Sequence, residues 1–229
     1  MKNLSIAIGL LLYLSCRIAY AQVQAVDAKD EPHHRPKLVN EVVRVLDVEV
    51  MPGDATQYHT HSLDYPYVML STSLLKNDIP DKAQADLIIT AGLIGYYRAS
   101  QGAYTHRFTN AGSKPFRAIG IELLSSAPQG SGAAPLTENA AIKKVLDNER
   151  VRGYRLTLAP GESIGPLLLP GRSVRVAQTA GAIEQTVNGA ESSKISLAVA
   201  QFEWRENAAT YVLKNAGETT MELVEFEFK

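Results

Sequence analysis

Two stretches of the chain, NEVVRVLDVEVMPGD at 40–54 and NERVRGYRLTLAPGE at 148–162, share Asn, Glu, Val, Arg, Pro and Gly at a constant offset of 108 residues. Further on, YTHRFTNAGSKPFRAIGIELL at 104–124 and ATYVLKNAGETTMELVEFEFK at 209–229 share Asn-Ala-Gly at an offset of 105. The same signals in the same order, with a small internal deletion, imply two copies of one structural unit. Each copy must then fold the same way, which excludes most architectures available to a chain of 229 residues.

The unit is β-rich. Leu46, Val48 and Val50 alternate with Asp47 and Glu49. Tyr154, Leu156 and Leu158 alternate with Arg155 and Thr157, and Val224, Phe226 and Phe228 with Glu225 and Glu227. Period-two alternation predicts half-buried antiparallel strands, and Pro52-Gly53 and Pro160-Gly161 predict turns. Between the copies, SSAPQGSGAAPL at 125–136 reads as loop. Thr137 then caps an expected short helix with Ile142, Val145 and Leu146 as its apolar stripe. Residues 22–38 are polar, contain proline and have no period, so they read as a flexible lead-in that leaves His33 and His34 solvated.

The chain starts with Lys2 and an apolar run from Leu4 to Leu14 that is too short to span a bilayer, and Ala19-Tyr20-Ala21 follows. This pattern predicts a secretory signal over 1–21 cleaved after Ala21, and therefore a periplasmic or secreted protein without a membrane span after cleavage. Cys16 is the single cysteine, so the mature chain carries neither disulfides nor thiolate chemistry. A lipid anchor on Cys16 is a minor alternative, opposed by Tyr13 and Arg17 around it. Removing Lys2 and Arg17 takes the 23 basic residues to 21 against 24 acidic, a net charge of −3. With no basic patch interleaved with aromatic residues, nucleic acid is not an expected partner and a small molecule is. Edge-strand pairing into a homodimer is open, although two fused copies can satisfy that contact within one chain.

The chemistry concentrates in GDATQYHTH at 53–61. Residues i and i+2 of a strand share a face, so His59 and His61 can present two imidazoles to one ion. Gly53, His59, His61, a hydrophobic strand, and then His106 with Asn110 four positions on resemble the paired sequence motifs of the cupin superfamily, and the double copy resembles a bicupin. The resemblance spans nearly all of the mature chain. It implies an all-β fold of two cupin-like jelly-roll barrels: an N-terminal barrel over 39–125 with a metal site, a linker with the short helix over 126–147, and a C-terminal barrel over 148–229. His59, His61 and His106 are the implied metal ligands, and Tyr58, Asp64, Tyr65, Arg98 and Tyr104 are candidates for the pocket around them. Two departures from the family pattern stand out. The Glu four or five residues after the second His is replaced by Tyr65 and Pro66, with Asp64 one residue short, and the second motif lacks its usual Pro and has an extra residue between Gly102 and His106.

In the second copy His59 falls on Leu167, His61 on Leu169 and His106 on Tyr211, so that barrel is expected to hold no metal. Three neutral imidazoles leave a divalent charge uncompensated, which favours an anionic or bidentate oxygen ligand on the open positions. Similar three-His cupins include iron dioxygenases of thiols, diketones and hydroxylated aromatic acids. The resemblance therefore implies one divalent ion, Fe(II) first with Zn, Mn, Ni or Cu open, and a dioxygenase-like oxidoreductase acting on a small anionic substrate. The alternative is a non-catalytic cupin that binds a small ligand or carries a structural metal. GESIG at 161–165 matches a hydrolase nucleophile elbow, but no helical pattern and no histidine follow it, so it reads as a turn.

Overall fold

The computed structural model describes residues 23–125 and 134–229. The expected signal, its cleavage after Ala21, Cys16 and most of the glycine- and serine-rich loop lie outside the described residues.

The first copy builds strands β1 (Val26–Asp27), β2 (His34–Val39), β3 (Val43–Val50), β4 (His59–His61), β5 (Tyr65–Met69), β6 (Ser73–Asp78), β7 (Ala85–Ile89), β8 (Ile94–Tyr97), β9 (Tyr104–Asn110) and β10 (Phe116–Leu123). The second builds β11 (Ile142–Asp147), β12 (Val151–Leu158), β13 (Ser163–Leu169), β14 (Ser173–Ala177), β15 (Gly181–Val187), β16 (Ser193–Leu197), β17 (Phe202–Arg205), β18 (Ala209–Asn215) and β19 (Met221–Phe228). Each copy folds into two facing sheets. The first has the orders β1-β4-β9-β6-β7 and β2-β3-β10-β5-β8; the second has β13-β18-β15-β16 and β11-β12-β19-β14-β17.

The repeat extends to side-chain detail. Asn110 donates from Nδ2 to the carbonyls of Val50 and Lys114, and its Oδ1 accepts from Gly112 N–H. Asn215 makes the same three bonds with Leu158, Thr219 and Gly217. Arg44 pairs with the buried Glu122, and Arg152 with the buried Glu227, at the equivalent positions. Strands β2 to β8 recur 108 residues on and β9 and β10 recur 105 residues on, so the deletion falls between β8 and β9, where the first copy makes a 3-10 turn at Ala99–Gln101.

Alternation along β10 and β19 divides the molecule into three cores. Phe116 and Ala118 face into the first barrel with Leu46, Val48, Val50, Leu75 and Phe108. Met221 and Leu223 face into the second with Leu156, Leu158, Leu167, Leu169 and Leu213. The opposite faces of both strands meet, so that Val43, Val45, Ile119 and Ile121 pack against Val151, Val174, Val224, Phe226 and Phe228.

Two expectations are corrected here. The short helix is absent: Ile142–Asp147 is strand β11, paired with β12 through a register shift between Lys144 and Leu146. The lead-in is part of the first barrel. β1 pairs in parallel with β4, β2 pairs with β3, and a 3-10 turn at Ala28–Asp30, capped by the Asp27 carboxylate, joins them. Ser163 of GESIG opens strand β13 after a turn at Gly161, where φ is +76°, in line with the turn reading.

Candidate metal centre

Strand β4 lies between β1 and β9, in a register that sets His59 opposite His106 and His61 opposite Tyr104. Thr60 and Thr105 face the other way and share a 2.8 Å hydroxyl contact, which leaves the histidines on the inner face. The ring centroids of His59 and His106 are 4.5 Å apart, those of His59 and His61 5.0 Å, and those of His61 and His106 5.5 Å.

A fourth imidazole arrives from the opposite sheet. His34 on β2 is buried, with its ring centroid 4.4 Å from that of His59 and 5.8 Å from that of His61. One ring nitrogen from each of His34, His59 and His61 lies within 4.8 Å of the others. His106 adjoins this group through His59. The solvated reading of His34 is thus corrected. The turns after β1 carry it inward, through Glu31 N–H to Ala28 O and His34 N–H to Glu31 O. Its neighbour His33 stays partly exposed, with its ring on Glu31 Oε1 and its carbonyl accepting from Glu49 N–H.

Three of the four rings are oriented by an acceptor. His59 Nδ1 bonds to Gln57 O at 2.9 Å, His106 Nδ1 to Asn77 Oδ1 at 2.7 Å, and His34 Nδ1 to Glu31 Oε2 at 2.7 Å. A carbonyl, amide or carboxylate oxygen there puts the proton on Nδ1 and leaves the Nε2 lone pair free. His59 Nε2 is buried and no protein group bonds to it, nor to His61 Nδ1. Burial pushes the imidazoles down, helped by their mutual repulsion: His59 to about 4, His106 to about 3 and His61 to about 2. They are neutral at physiological pH, so their lone pairs need not lose a proton to bind a cation. Buried nitrogens without partners, rings tied from behind and neutral nitrogen donors fit a divalent ion.

A buried carboxylate lies one layer out from the imidazoles. Glu31 is 1% exposed. Burial would raise its carboxyl, but hydrogen bonds from His34, His33 and Gln57 N–H outweigh that and hold it at about 2. It therefore stays ionised behind His34. Glu122, also buried, lies near the same ring, and burial raises its carboxyl against the attraction of Arg44.

His34, His61 and His106 line a cavity of about 440 Å³ between the two sheets, and His59 is fully buried behind them. Its walls are mostly apolar, with Leu75, Leu87, Ile89, Phe108 and Phe116, and with Tyr65, Tyr67, Tyr97 and Tyr104 adding four phenols. Tyr65 stacks on His61 at 4.8 Å, and burial raises its phenol far above the ordinary value. Tyr104 lies 4.4 Å from His106 and accepts from Asn77 Nδ2 at 2.9 Å, so Asn77 links the two rings. The other pocket candidates lie elsewhere. Tyr58 donates to Asp78 on the outer face, with Arg107 over its ring. Asp64 accepts from Tyr96 O–H and Ser100 N–H, and Arg98 pairs with the exposed Glu149 of the second copy.

In the second barrel, Leu167 faces Tyr211 and Leu169 faces Ala209, the same register as His59 with His106 and His61 with Tyr104. Ile142 takes the place of His34, and all four equivalents are packed in that barrel's core. The sequence signal that bears on His34 is this repeat, which pairs it with the apolar Ile142.

No protein-family model matches the chain, and no curated protein matches it. Solved structures do. A cupin 2 conserved barrel domain protein from Leptotrichia buccalis is 12% identical, with TM-score 0.51 over 85% of this chain and 88% of that one. A variant of oxalate decarboxylase from Bacillus subtilis is 10% identical, with TM-score 0.55 over 82% and 69%. The chain has the cupin fold in duplicate. A salicylate 1,2-dioxygenase from Pseudaminobacter salicylatoxidans is similar to this chain as well, at 11% identity and TM-score 0.53 over 82% and 71%.

Proposed function

We propose that the N-terminal barrel of this bicupin holds one divalent metal on His59, His61 and His106, with His34 beside them, and that the protein is an oxidoreductase of the dioxygenase type. The observation that carries the proposal is the buried imidazole cluster, with His59 Nε2 unbonded and with His34, His61 and His106 at the wall of a cavity. A redox-active ion there, Fe(II) by first preference, supplies Lewis acidity and one-electron chemistry. Manganese is a chemical precedent: the oxalate decarboxylase of Bacillus subtilis is described with Mn(II) centres. Residues 1–21 carry the further proposal that the protein works outside the cytoplasm.

The chain's own residues supply orientation and selection. Gln57 O, Asn77 and Glu31 fix the rings, and Glu31 adds a negative charge behind the cluster. Among the described residues, the cavity lining has no Lys or Arg and one carboxylate, Glu122. An anionic head on the substrate would therefore fall to the metal, while Leu75, Phe108 and Phe116 offer a surface for an apolar or aromatic body. The Tyr97 and Tyr104 hydroxyls can donate to oxygen atoms on that substrate, and the apolar wall excludes water from it. Salicylate, the substrate named for one structural neighbour, is a molecule of this type.

A second reading rests on His34. As a fourth imidazole ligand it would close the coordination sphere, as in a structural site. Oxygen uptake by the Fe(II)-loaded protein, with hydroxylated aromatic acids, thiols and diketones offered in turn, separates the two. The enzyme reading expects uptake with one class, lost at least 100-fold in His106→Ala. Metal bound but no uptake with any class would leave the non-catalytic reading.

A further inference from the structure

The second barrel lacks the histidines, but its interior is not wholly apolar. Where the first cavity has Tyr67, Tyr97, Asn77 and Gly120, the second copy has Arg175, Arg205, Gln185 and Glu225. Arg175 is 3% exposed, Arg205 5% and Glu225 0%, and both guanidinium groups lie 5.2 Å from the centroid of the Tyr211 ring.

We propose that the C-terminal barrel is a binding site for a small monocarboxylate with a short apolar body, held by Arg175. The proposal does not depend on the metal reading of the first barrel. Arg175 Nε donates to Glu225 Oε2 at 3.2 Å, and Nη1 reaches Gln185 Oε1 only at 3.5 Å. Its Nη2 is buried and bonds to nothing. Arg205 is also in contact with Glu225, so one fully buried carboxylate serves two buried cations. The other acid, Glu203, lies 3.2 Å from Arg205 and 3.7 Å from Arg175, but its side chain is 44% exposed and partly hydrated. The dry part of the cluster thus carries an excess positive charge, which a bound anion would neutralise.

A cavity of about 290 Å³ lies beside Arg175, lined by Ile183, Ile195, Leu197 and Phe202 with Gln185 and Glu203. That volume is at the small end for ligand sites. A planar guanidinium donor suits a carboxylate, the apolar walls suit an alkyl or aryl body, and Glu203 disfavours a second negative charge.

Calorimetric titration of the metal-loaded chain with butyrate, hexanoate, octanoate and benzoate, repeated after chelation, tests the site. At least one carboxylate is expected to bind, equally well with and without metal, and at least tenfold more tightly than the matching neutral amide. Arg175→Gln, which leaves Glu225 paired with Arg205, is expected to weaken binding at least tenfold. Ile195→Trp fills the cavity without touching the ion pairs, and is expected to do the same even if the first variant folds poorly. Failure of every carboxylate to bind would overturn the proposal. So would binding that vanishes on chelation, binding no tighter than that of the amide, or Ile195→Trp within twofold of the parent.

Discussion

At the residue scale, the site depends on groups that orient the imidazoles. Glu31 orients His34 and Asn77 orients His106. Loss of such outer partners typically costs about 10–100-fold in metal affinity. Glu31→Gln and Asn77→Leu are each expected to weaken metal binding within that range in competition titrations with a chromogenic chelator, and unchanged affinity in both would remove them from the site. The imidazoles also set a pH dependence. Unfolded histidines take up protons near pH 6.5, whereas folded His59, His106 and His61 resist protonation down to about 4, 3 and 2. Below pH 6.5 the unfolded chain binds more protons, so the metal-free protein is fully stabilised above that pH and loses stability as pH falls. For His59 alone the loss at pH 5 is on the order of 2 kcal/mol. Thermal melts of the chelated protein between pH 7.5 and 5 should decline accordingly, and a melting temperature that rises on acidification would contradict the arrangement.

Elements were legible where alternation was regular and illegible where it was broken. β3, β12 and β19 have clean period-two patterns, and the His-x-His face follows from β4 alone. β2 and β11 carry the same irregularity, a register shift between Pro36 and Leu38 and between Lys144 and Leu146. The shift turns Ile142 into one core and Leu146 into another, so the alternation is lost and the spacing imitates a helix. The same break hid the inward position of His34. Glu225 and Glu227 misled in another way, because the polar face of β19 points into the barrel and is paired with arginines instead of water. The Asn-Ala-Gly signal, by contrast, has a clear physical role, since each Asn ties the end of one strand to the turn after another. Asn110→Ala and Asn215→Ala each strand one buried carbonyl, Val50 O or Leu158 O, at about 1–3 kcal/mol. Denaturant titrations should show the two costs to be similar, and a negligible cost at either site would show that turn to be dispensable.

At the scale of the whole molecule, the repeat produced two barrels that share a core and diverged in their interiors. Phe226 is fully buried in the shared core, and Phe226→Ala is expected to cost about 3–5 kcal/mol. Because that core belongs to both barrels, scanning calorimetry should record one cooperative transition that moves to lower temperature as a unit, whereas two separate transitions would mean that the barrels unfold independently. The architecture was legible because both copies carry the same turns and strands; the division of roles was legible only as the joint replacement of His59, His61 and His106 by Leu167, Leu169 and Tyr211. The central claim is that one metal resides in the first barrel and none in the second. Elemental analysis of the untagged protein, beside His59→Ala and Tyr211→Phe, tests it most directly. The account predicts about one divalent ion per chain, lost in His59→Ala and retained in Tyr211→Phe. No metal in the parent after loading with Fe(II) or Zn(II), or full retention in His59→Ala, would contradict it.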